Sequence, residues 1–353
     1  MNTASVHLLL GGSAFVVFMS ALNGGALHTT LSFVTILWLF IVLINTSRRQ
    51  QDIFGFVLIG LLAIFAQWGV LQFSLQQDLG LQYIGESNIG PSVPAVAKFF
   101  SEYNDIKLIR AYGPYPHSNP YGGAALVGLL LLPYFTGRYS GQHGRYLRIL
   151  EAVLTGVFCL AVFLSFSRAA IAGVLILFIL SWARRRQAPG PVLNIRILGL
   201  AIVTLLLLFS PLLYSRNTDT EDVALVDRVS GIEWSMNIIR EHPLLGVGPG
   251  NYTAALEGYL VSENIPVNNW EVAPVHSVPL LLASEWGLLT SISILAFVAW
   301  LMRRSVGQLT LITFPLFPLL LLDHFYYTQV FLLLLLIFTG WFLLSRRNRT
   351  LNS

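Results

Sequence analysis

Residues 149–183 read ILEAVLTGVFCLAVFLSFSRAAIAGVLILFILSWA, a nearly unbroken apolar stretch of 35 residues. As one straight helix this stretch would be about 52 Å long, whereas the hydrocarbon core of a bilayer is only about 30 Å thick. The chain must therefore fold back on itself. Polar side chains gather near the middle of the stretch, at Ser165, Ser167 and Arg168. We expect a hairpin of two membrane-spanning helices with its turn at these residues.

The rest of the chain has the same apolar character. Of its 353 residues, 55% are hydrophobic and 11% are charged, whereas an ordinary soluble domain is about 25% charged. This composition excludes a soluble enzyme and a disordered protein. It predicts an all-α integral membrane protein, a single polytopic domain over residues 1–353 with about ten transmembrane helices. The expected spans are Ser5 to Leu27, Thr29 to Thr46, Ile53 to Phe73, Tyr121 to Phe135, Arg148 to Ser165, Ala169 to Ala183, Ile195 to Tyr214, Ser277 to Leu301, Leu309 to Leu322 and Thr328 to Leu344.

The distribution of Lys and Arg predicts how these spans are oriented. With both termini in the cytoplasm, the inner loops hold fourteen basic residues against two acidic ones, and the outer side holds seven against fifteen. Cytoplasmic loops are enriched in Lys and Arg, so we expect this orientation in the inner membrane. Topology thus explains the net charge of +4, which disfavours a nucleic-acid partner. The single cysteine, Cys159, excludes an intrachain disulfide and a cysteine metal cluster.

Two predicted outer segments, residues 74–120 and 215–276, are too long to be simple connections, and segments of this length are usually functional. In the second, Val229, Ile232, Met236 and Ile239 share one helical face. We expect this helix to stop at Pro243. A glycine-rich turn over 246–250 and a second short helix near 252–259 should follow. The turn has neither the preceding strand nor the following lysine of a nucleotide-binding loop, so we interpret it as a turn.

Two arginines on the outer side are candidates for anion binding. Arg168, at the tip of the predicted hairpin, would be costly beside hydrocarbon unless an anion or a wet cavity compensates it, although a long side chain can also reach the headgroups. Arg110 opens the stretch RAYGPYPHSNPYGG, whose prolines and glycines impose an irregular backbone. Such a backbone near the membrane needs cover from protein or water, so it lines a pocket or forms a turn-rich re-entry loop.

His276 and Glu285 are candidates at the eighth predicted span. His276 directly precedes that span, where the positive end of the helix dipole favours the neutral imidazole that a general base requires; an interface histidine is the alternative. Nine residues place Glu285 on the opposite face, about 13 Å along the axis, so we expect no hydrogen-bonded dyad. A carboxylate inside a membrane span is functional by default, and we expect Glu285 to pair with a basic or polar group on another span.

The sequence offers only weak candidates for a metal site. Asp323 and His324, which leave the ninth predicted span together, are either a metal or proton-relay pair, or a helix cap or surface pair. The seven histidines show no metal-ligand spacing and no HExxH motif occurs. We therefore predict no metal and no cofactor.

Several of these pieces together resemble the signature region of the O-antigen ligase and O-antigen polymerase family. The resemblance covers about residues 110–287. Its pieces are the Arg110 to Gly123 stretch, the Ser165 to Arg168 turn, Arg228, Trp234, Ile239, the run His242 to Tyr252, His276-Ser277 and Glu285 to Gly287. The family usually has asparagine where Ser277 stands, and serine still offers a hydrogen-bonding side chain.

The resemblance implies a many-spanned helical glycosyltransferase that takes a sugar chain from a polyprenyl-pyrophosphate carrier. Arg110 and Arg168 would bind the diphosphate, Arg228 would add a third contact, and His276 would activate the acceptor, with Ser277 and Glu285 in support. The acceptor would be a glycan, a lipid or a protein hydroxyl. A carrier that already bears a leaving group needs no nucleotide donor, and direct attack by the acceptor inverts the anomeric carbon.

Two other classes of protein remain open from the sequence. A polytopic transporter of a small anion or envelope precursor would have a similar number of spans. However, the sequence shows no paired interrupted helices in corresponding halves, and the candidate residues gather on one side of the membrane. An assembly scaffold without catalysis would tolerate replacement of Arg110, Arg168 and His276.

Overall fold

The computed structural model describes residues 13, 16, 27–94, 96–101, 106–136, 144–184, 194–218, 224–265, 272–304, 308–329, 333, 335 and 339. The first and tenth predicted spans, Ser5 to Leu27 and Thr328 to Leu344, therefore lie largely outside the described residues. Each of the eight predicted spans between them coincides with a helix.

Helices dominate the described part of the chain. They are α1 (Leu27–Asn45), α2 (Arg48–Leu75), α3 (Ser118–Thr136), α4 (Gly144–Leu164), α5 (Arg168–Arg184), α6 (Ile195–Thr218), α7 (Ala224–Glu241), α8 (Tyr252–Ser262), α9 (Val278–Arg304), α10 (Gln308–Leu322) and α11 (Phe325–Thr328). Four segments within them are long and apolar enough to cross a membrane: Arg49–Leu75, Arg145–Leu164, Ile195–Ser215 and Val278–Phe297. The helical membrane character is confirmed, and the count of ten spans stays a prediction.

The hairpin expected from residues 149–183 is present as α4 and α5. Phe166 in the turn has a φ of 47°, and the hydroxyl of Ser165 accepts a hydrogen bond from the backbone N–H of Ser167 at 3.1 Å. The hydroxyl of Ser167 accepts another from the N–H of Ala170 at 3.3 Å. Ser167 thus caps α5 in the usual way, because a serine oxygen takes one of the unpaired amides of the first turn.

The first of the two segments that the sequence places outside contains a β-hairpin, so the prediction of an all-α fold is wrong there. Strands β1 (Lys98–Ser101) and β2 (Ile106–Ile109) pair antiparallel, with Phe99 opposite Leu108. Both of these side chains are buried, and the Phe99 ring lies 4.5 Å from that of Phe166. Each strand has only four residues, which is too short for a strong alternation of apolar and polar side chains.

The second predicted outer segment forms the two expected helices, α7 and α8. The side of α7 that is buried differs from the apolar face seen in the sequence. Val229, Ile232 and Met236 are exposed, whereas Ser235, Ile238 and Ile239 are buried. The small side chain of Ser235 allows close approach of Tyr252, and their hydroxyl oxygens lie 2.8 Å apart. The helix that the hydrophobic pattern predicted is therefore confirmed, and of its apolar face only Ile239 is buried.

The chain divides into two compact units. The first comprises Met1–Ser47, Asp222–Val306 and Leu320–Phe338, and the second comprises Arg48–Glu221, Gly307–Leu319 and Thr339–Ser353. The core of the first unit gathers residues from α7 to α11: Ile238, Tyr252, Leu256, Leu260, Val275, Leu281, Trp286 and Tyr327. Organisation as a single polytopic domain stays a prediction.

Candidate active site

Arg110 lies in the second unit, where it joins the irregular stretch before α3 to the turn of the α4–α5 hairpin. Its Nε atom donates to the carbonyl oxygen of Ser165 at 2.6 Å, and Nη2 donates to Oδ1 of Asn119 at 2.6 Å. The backbone N–H of Ala111 also donates to the carbonyl of Leu164 at 3.0 Å. Because Arg110 is only 6% exposed, its guanidinium is held in a fixed place. Sequence reasoning did not single out Asn119.

Arg168 lies in the same unit and is the first residue of α5, three positions after Ser165. Its side chain is exposed. The N-terminus of a helix carries unpaired N–H groups and a partial positive charge, which favour an anion. The structure thus brings the guanidinium of Arg110 to the turn that leads to Arg168, and the binding of a diphosphate there stays a prediction.

The irregular stretch after Arg110 is docked on α2. Oε1 of Gln72 accepts a hydrogen bond from the N–H of Gly113 at 2.7 Å, and the hydroxyl of Tyr121 donates to the carbonyl of Ala66 at 2.6 Å. These hydrogen bonds take the place of the backbone hydrogen bonds of regular secondary structure, which the prolines and glycines disfavour. The stretch is therefore a well-packed part of the second unit.

Glu86 holds the chain that follows α2 against that helix through hydrogen bonds. Its Oε1 atom accepts hydrogen bonds from Nε1 of Trp68 at 2.8 Å and Nε2 of Gln72 at 2.7 Å, and Oε2 accepts one from the N–H of Leu81 at 2.7 Å. Burial alone would raise the pKa of this carboxyl, but these hydrogen bonds to its charged form lower the pKa below the ordinary value. The sequence did not indicate this role of Glu86, which is structural.

In the first unit, His276 lies two residues before α9, as the sequence predicts. Its Nδ1 atom is 3.8 Å from Oδ1 of Asp323. That nitrogen is shielded from solvent and has no hydrogen-bond partner within the described part of the chain. The side chain as a whole is 31% exposed, so its accessible part lies away from Nδ1. The neighbouring Ser277 is buried, and its carbonyl accepts the N–H of Leu281 at 2.9 Å.

Asp323 and His324 surround His276 on its buried side. Oδ1 of Asp323 accepts the backbone N–H of His324 at 2.9 Å, and Nδ1 of His324 lies 3.0 Å from the hydroxyl of Thr328. The rings of His276 and His324 are 5.1 Å apart. Burial lowers the pKa of His324 to about 4, so this ring is neutral at pH 7. Periodicity could not reveal this cluster, because its members are far apart in the chain.

The same cluster is a set of residues that could hold a metal ion. One potential ligand atom each from His276, Asp323 and His324 lies within 4.8 Å of the others. Two imidazoles and a carboxylate are a donor set that zinc and other transition metals accept. No spacing in the sequence indicates such a set, and the absence of a metal stays a prediction.

Glu285 is buried in α9 and pairs with the segment after α10. Its Oε2 atom accepts a hydrogen bond from the hydroxyl of Tyr327 at 2.5 Å. The oxygen of that hydroxyl accepts a hydrogen bond from Nε1 of Trp286 at 2.7 Å. The expectation of a polar partner is confirmed, but Tyr327 lies in α11, between the ninth and tenth predicted spans and not on either of them. No hydrogen bond joins Glu285 to His276 among the described residues. Glu285, Tyr252 and Thr253 line a cavity of about 160 Å³.

Helix α9 is interrupted at Gly287, whose φ and ψ are 75° and 168°. The turn over 243–250 fills the interruption and provides its hydrogen bonds. The N–H of Val247 donates to the carbonyl oxygen of Ser284 at 2.9 Å, and the N–H of Gly248 donates to the carbonyl oxygen of Glu285 at 2.9 Å. In the opposite direction, the N–H of Leu288 donates to the carbonyl oxygen of Pro243 at 2.8 Å. The glycine-rich run is thus a structural turn, as predicted, and it fixes the backbone that carries Glu285.

Arg228 belongs to the first unit, on α7, and is partly buried. The sequence assigned it a third contact to the diphosphate. Arg228, His276, Ser277 and Glu285 thus belong to the first unit, whereas Arg110 and Arg168 belong to the second.

Residues 152–295 match the model of the O-antigen ligase family. Over this stretch the chain is similar to that family. The match begins in α4 and extends into α9, so it contains Arg168, Arg228, His276 and Glu285. It confirms the family resemblance seen in the sequence and supports an O-antigen ligase-like membrane glycosyltransferase in general. Neither the curated proteins nor the solved structures give a significant match to the chain.

Proposed function

We propose that this protein transfers a glycan from a polyprenyl-pyrophosphate carrier to an acceptor hydroxyl on the outer face of the inner membrane. The observation that carries the proposal is the placement of Arg110 against the turn that leads to Arg168. The family match from residue 152 to residue 295 supports the reaction class.

The diphosphate is the part of the donor that these arginines suit. A guanidinium presents a planar fork of donors that matches two phosphate oxygens, and a fixed guanidinium loses little entropy on binding. Arg110 is held by Ser165 and Asn119, and Arg168 stands at a helix N-terminus, which adds unpaired N–H groups. Arg228 adds a third positive charge. Arg110 and Arg168 stabilise the charge that develops on the departing diphosphate.

The transfer itself requires one proton to move. The acceptor oxygen bonds to the anomeric carbon while the bond from that carbon to the phosphate oxygen breaks, and the diphosphate leaves with the electron pair. His276 takes the acceptor proton, a general-base contribution of about 10²- to 10⁴-fold in rate. Direct displacement inverts the anomeric carbon. The reaction needs no cofactor and no metal ion, and Ser277 and Glu285 support the site.

The acceptor class is a glycan, a lipid-linked core or a protein hydroxyl. Each supplies an alcohol, so the step at His276 is the same for all three. Both termini lie in the cytoplasm in this proposal, with the reaction on the opposite face.

Reconstitution with a polyprenyl-pyrophosphate glycan tests the proposal. Wild-type protein in proteoliposomes should release polyprenyl pyrophosphate and extend or glycosylate an added acceptor, whereas Arg168→Ala and His276→Ala should lose at least about 100-fold in rate. Arg196→Ala removes an exposed arginine from α6 and is the matched control. Equal turnover by all the variants would overturn the proposal, and so would movement of the intact donor across the membrane without transfer.

A further inference from the structure

We infer that Asp323 is a positioning residue that orients the imidazole of His276 for proton abstraction. This inference rests on the proposed function of His276. Asp323 lies outside the stretch that matches the O-antigen ligase family.

The geometry places a carboxylate on one defined side of the ring. Oδ1 of Asp323 is 3.8 Å from Nδ1 of His276, and Asp323 is only 3% exposed. The carboxylate is fixed, because the same oxygen accepts the N–H of His324 at 2.9 Å. Nδ1 of His276 is shielded from water. A catalytic hydrogen bond is often long before substrate binds and tightens afterwards.

The carboxylate selects one tautomer of the imidazole. A proton on Nδ1 can be donated toward Asp323, and this leaves the lone pair on Nε2. When Nε2 takes the proton of the acceptor alcohol, the ring becomes positively charged beside the negative carboxylate. Asp323 therefore stabilises the imidazolium without itself taking a proton, as the carboxylate does in a Ser-His-Asp triad.

His324 and Thr328 close the other side of this cluster. The ring of His324 lies 5.1 Å from that of His276 and 4.4 Å from that of Phe325. Its Nδ1 atom is directed to the hydroxyl of Thr328 at 3.0 Å. His324 is 7% exposed, so it shields Asp323 from water and strengthens the interaction between the carboxylate and His276.

The main test measures kcat and donor KM for Asp323→Asn in proteoliposomes. Asparagine retains an oxygen for the N–H of His324 but loses the negative charge. We expect kcat to fall by about 10²- to 10⁴-fold with little change in the KM of the donor. Glu257→Gln makes the same chemical change at an exposed position on α8 and should retain wild-type kinetics. A lower donor affinity with unchanged kcat would overturn the inference.

A second measurement does not depend on any variant folding. Nitrogen-15 NMR of the wild-type protein with labelled histidine should show His276 with its proton on Nδ1 at neutral pH. A neutral ring with its proton on Nε2 would overturn the inference, because the lone pair would then point toward Asp323.

Metal analysis distinguishes the other role that this cluster could have. Purified wild-type protein should hold no stoichiometric metal, and chelation should leave its rate unchanged. Stoichiometric zinc that is lost in Asp323→Asn would overturn the inference in favour of a metal site. His276→Ala separates the two proposals: if it is inactive while Asp323→Asn is fully active, only the role of Asp323 is wrong. If His276→Ala is active, the proposed function fails as well.

Discussion

Gly287 packs so closely against Leu244 that any Cβ atom at position 287 would overlap the carbonyl oxygen of Leu244. Its φ of 75° is also one that other residues adopt only with strain. The interruption of α9 and the turn before α8 therefore depend on each other. Both pieces belong to the stretch that matches the O-antigen ligase family.

Gly287→Ala should strongly destabilise the protein. The substitution combines a steric overlap with a strained backbone, so we expect a loss of roughly 3 kcal/mol or more in the free energy of unfolding. Thermal unfolding in detergent measures it. Gly258→Ala on α8 is the control, because a Cβ atom there meets nothing within 4 Å. Helix propensity predicts that this control is neutral or more stable. An unchanged melting temperature for Gly287→Ala would contradict the proposed packing.

Arg110→Lys tests whether fixed geometry or charge alone matters at the hairpin turn. Lysine keeps the positive charge, but its single ammonium cannot reproduce the two directed bonds to Ser165 and Asn119. We expect the donor KM to rise about tenfold and the protein to lose about 1–3 kcal/mol of stability. Arg196→Lys, at an exposed arginine, should change neither quantity. Full activity of Arg110→Lys would show that charge is sufficient.

Glu86 should make the stability of the second unit dependent on acid pH. Its pKa in the folded state lies below the ordinary value of 4.5, so the unfolded chain binds its proton more readily than the folded chain does. The stabilisation is therefore present above about pH 4.5 and is lost as the pH falls through the lower, folded pKa. Melting temperatures between pH 7 and pH 3 measure this loss.

The variant Glu86→Gln should lose stability at pH 7 and show a smaller further decrease in acid. Its amide cannot accept the bonds from Trp68, Gln72 and Leu81 as a carboxylate does. Glu257→Gln, at an exposed glutamate, is the control. A Glu86→Gln protein with the same pH dependence as wild type would exclude Glu86 as the titrating group.

The sequence predicted what depends on local pattern. The hairpin of α4 and α5 follows from length and polarity, because an apolar stretch of 35 residues cannot cross the membrane only once. The end of α7 before Pro243 and the turn that follows also depend on local chemistry, since proline and glycine restrict or release the backbone wherever they occur.

Contacts between distant parts of the chain were not predictable in the same way. His276 and Asp323 are brought together by the fold, and no periodicity relates positions so far apart. The exposed face of α7 shows a related difficulty. An apolar stripe indicates a helix, but the close approach of Ser235 to Tyr252 decides which edge is buried. The β-hairpin that contains Phe99 could not be predicted, because strands of four residues are too short to show a clear alternation of apolar and polar side chains.

Tyr327 and Glu285 should be energetically coupled. Phenylalanine at position 327 removes the hydroxyl that donates to Oε2 of Glu285 at 2.5 Å and accepts Nε1 of Trp286 at 2.7 Å. Glu285 then retains only its hydrogen bonds from the backbone of Gly250 and Tyr252, and Nε1 of Trp286 loses its bond to the hydroxyl. The loss of these two bonds should cost about 1–3 kcal/mol. Unfolding of wild type, Tyr327→Phe, Glu285→Gln and the double variant forms a cycle in which we expect a coupling of about 1–3 kcal/mol. Additive losses would show that the two side chains act independently, and the cavity that Glu285 lines would then not depend on the hydroxyl of Tyr327.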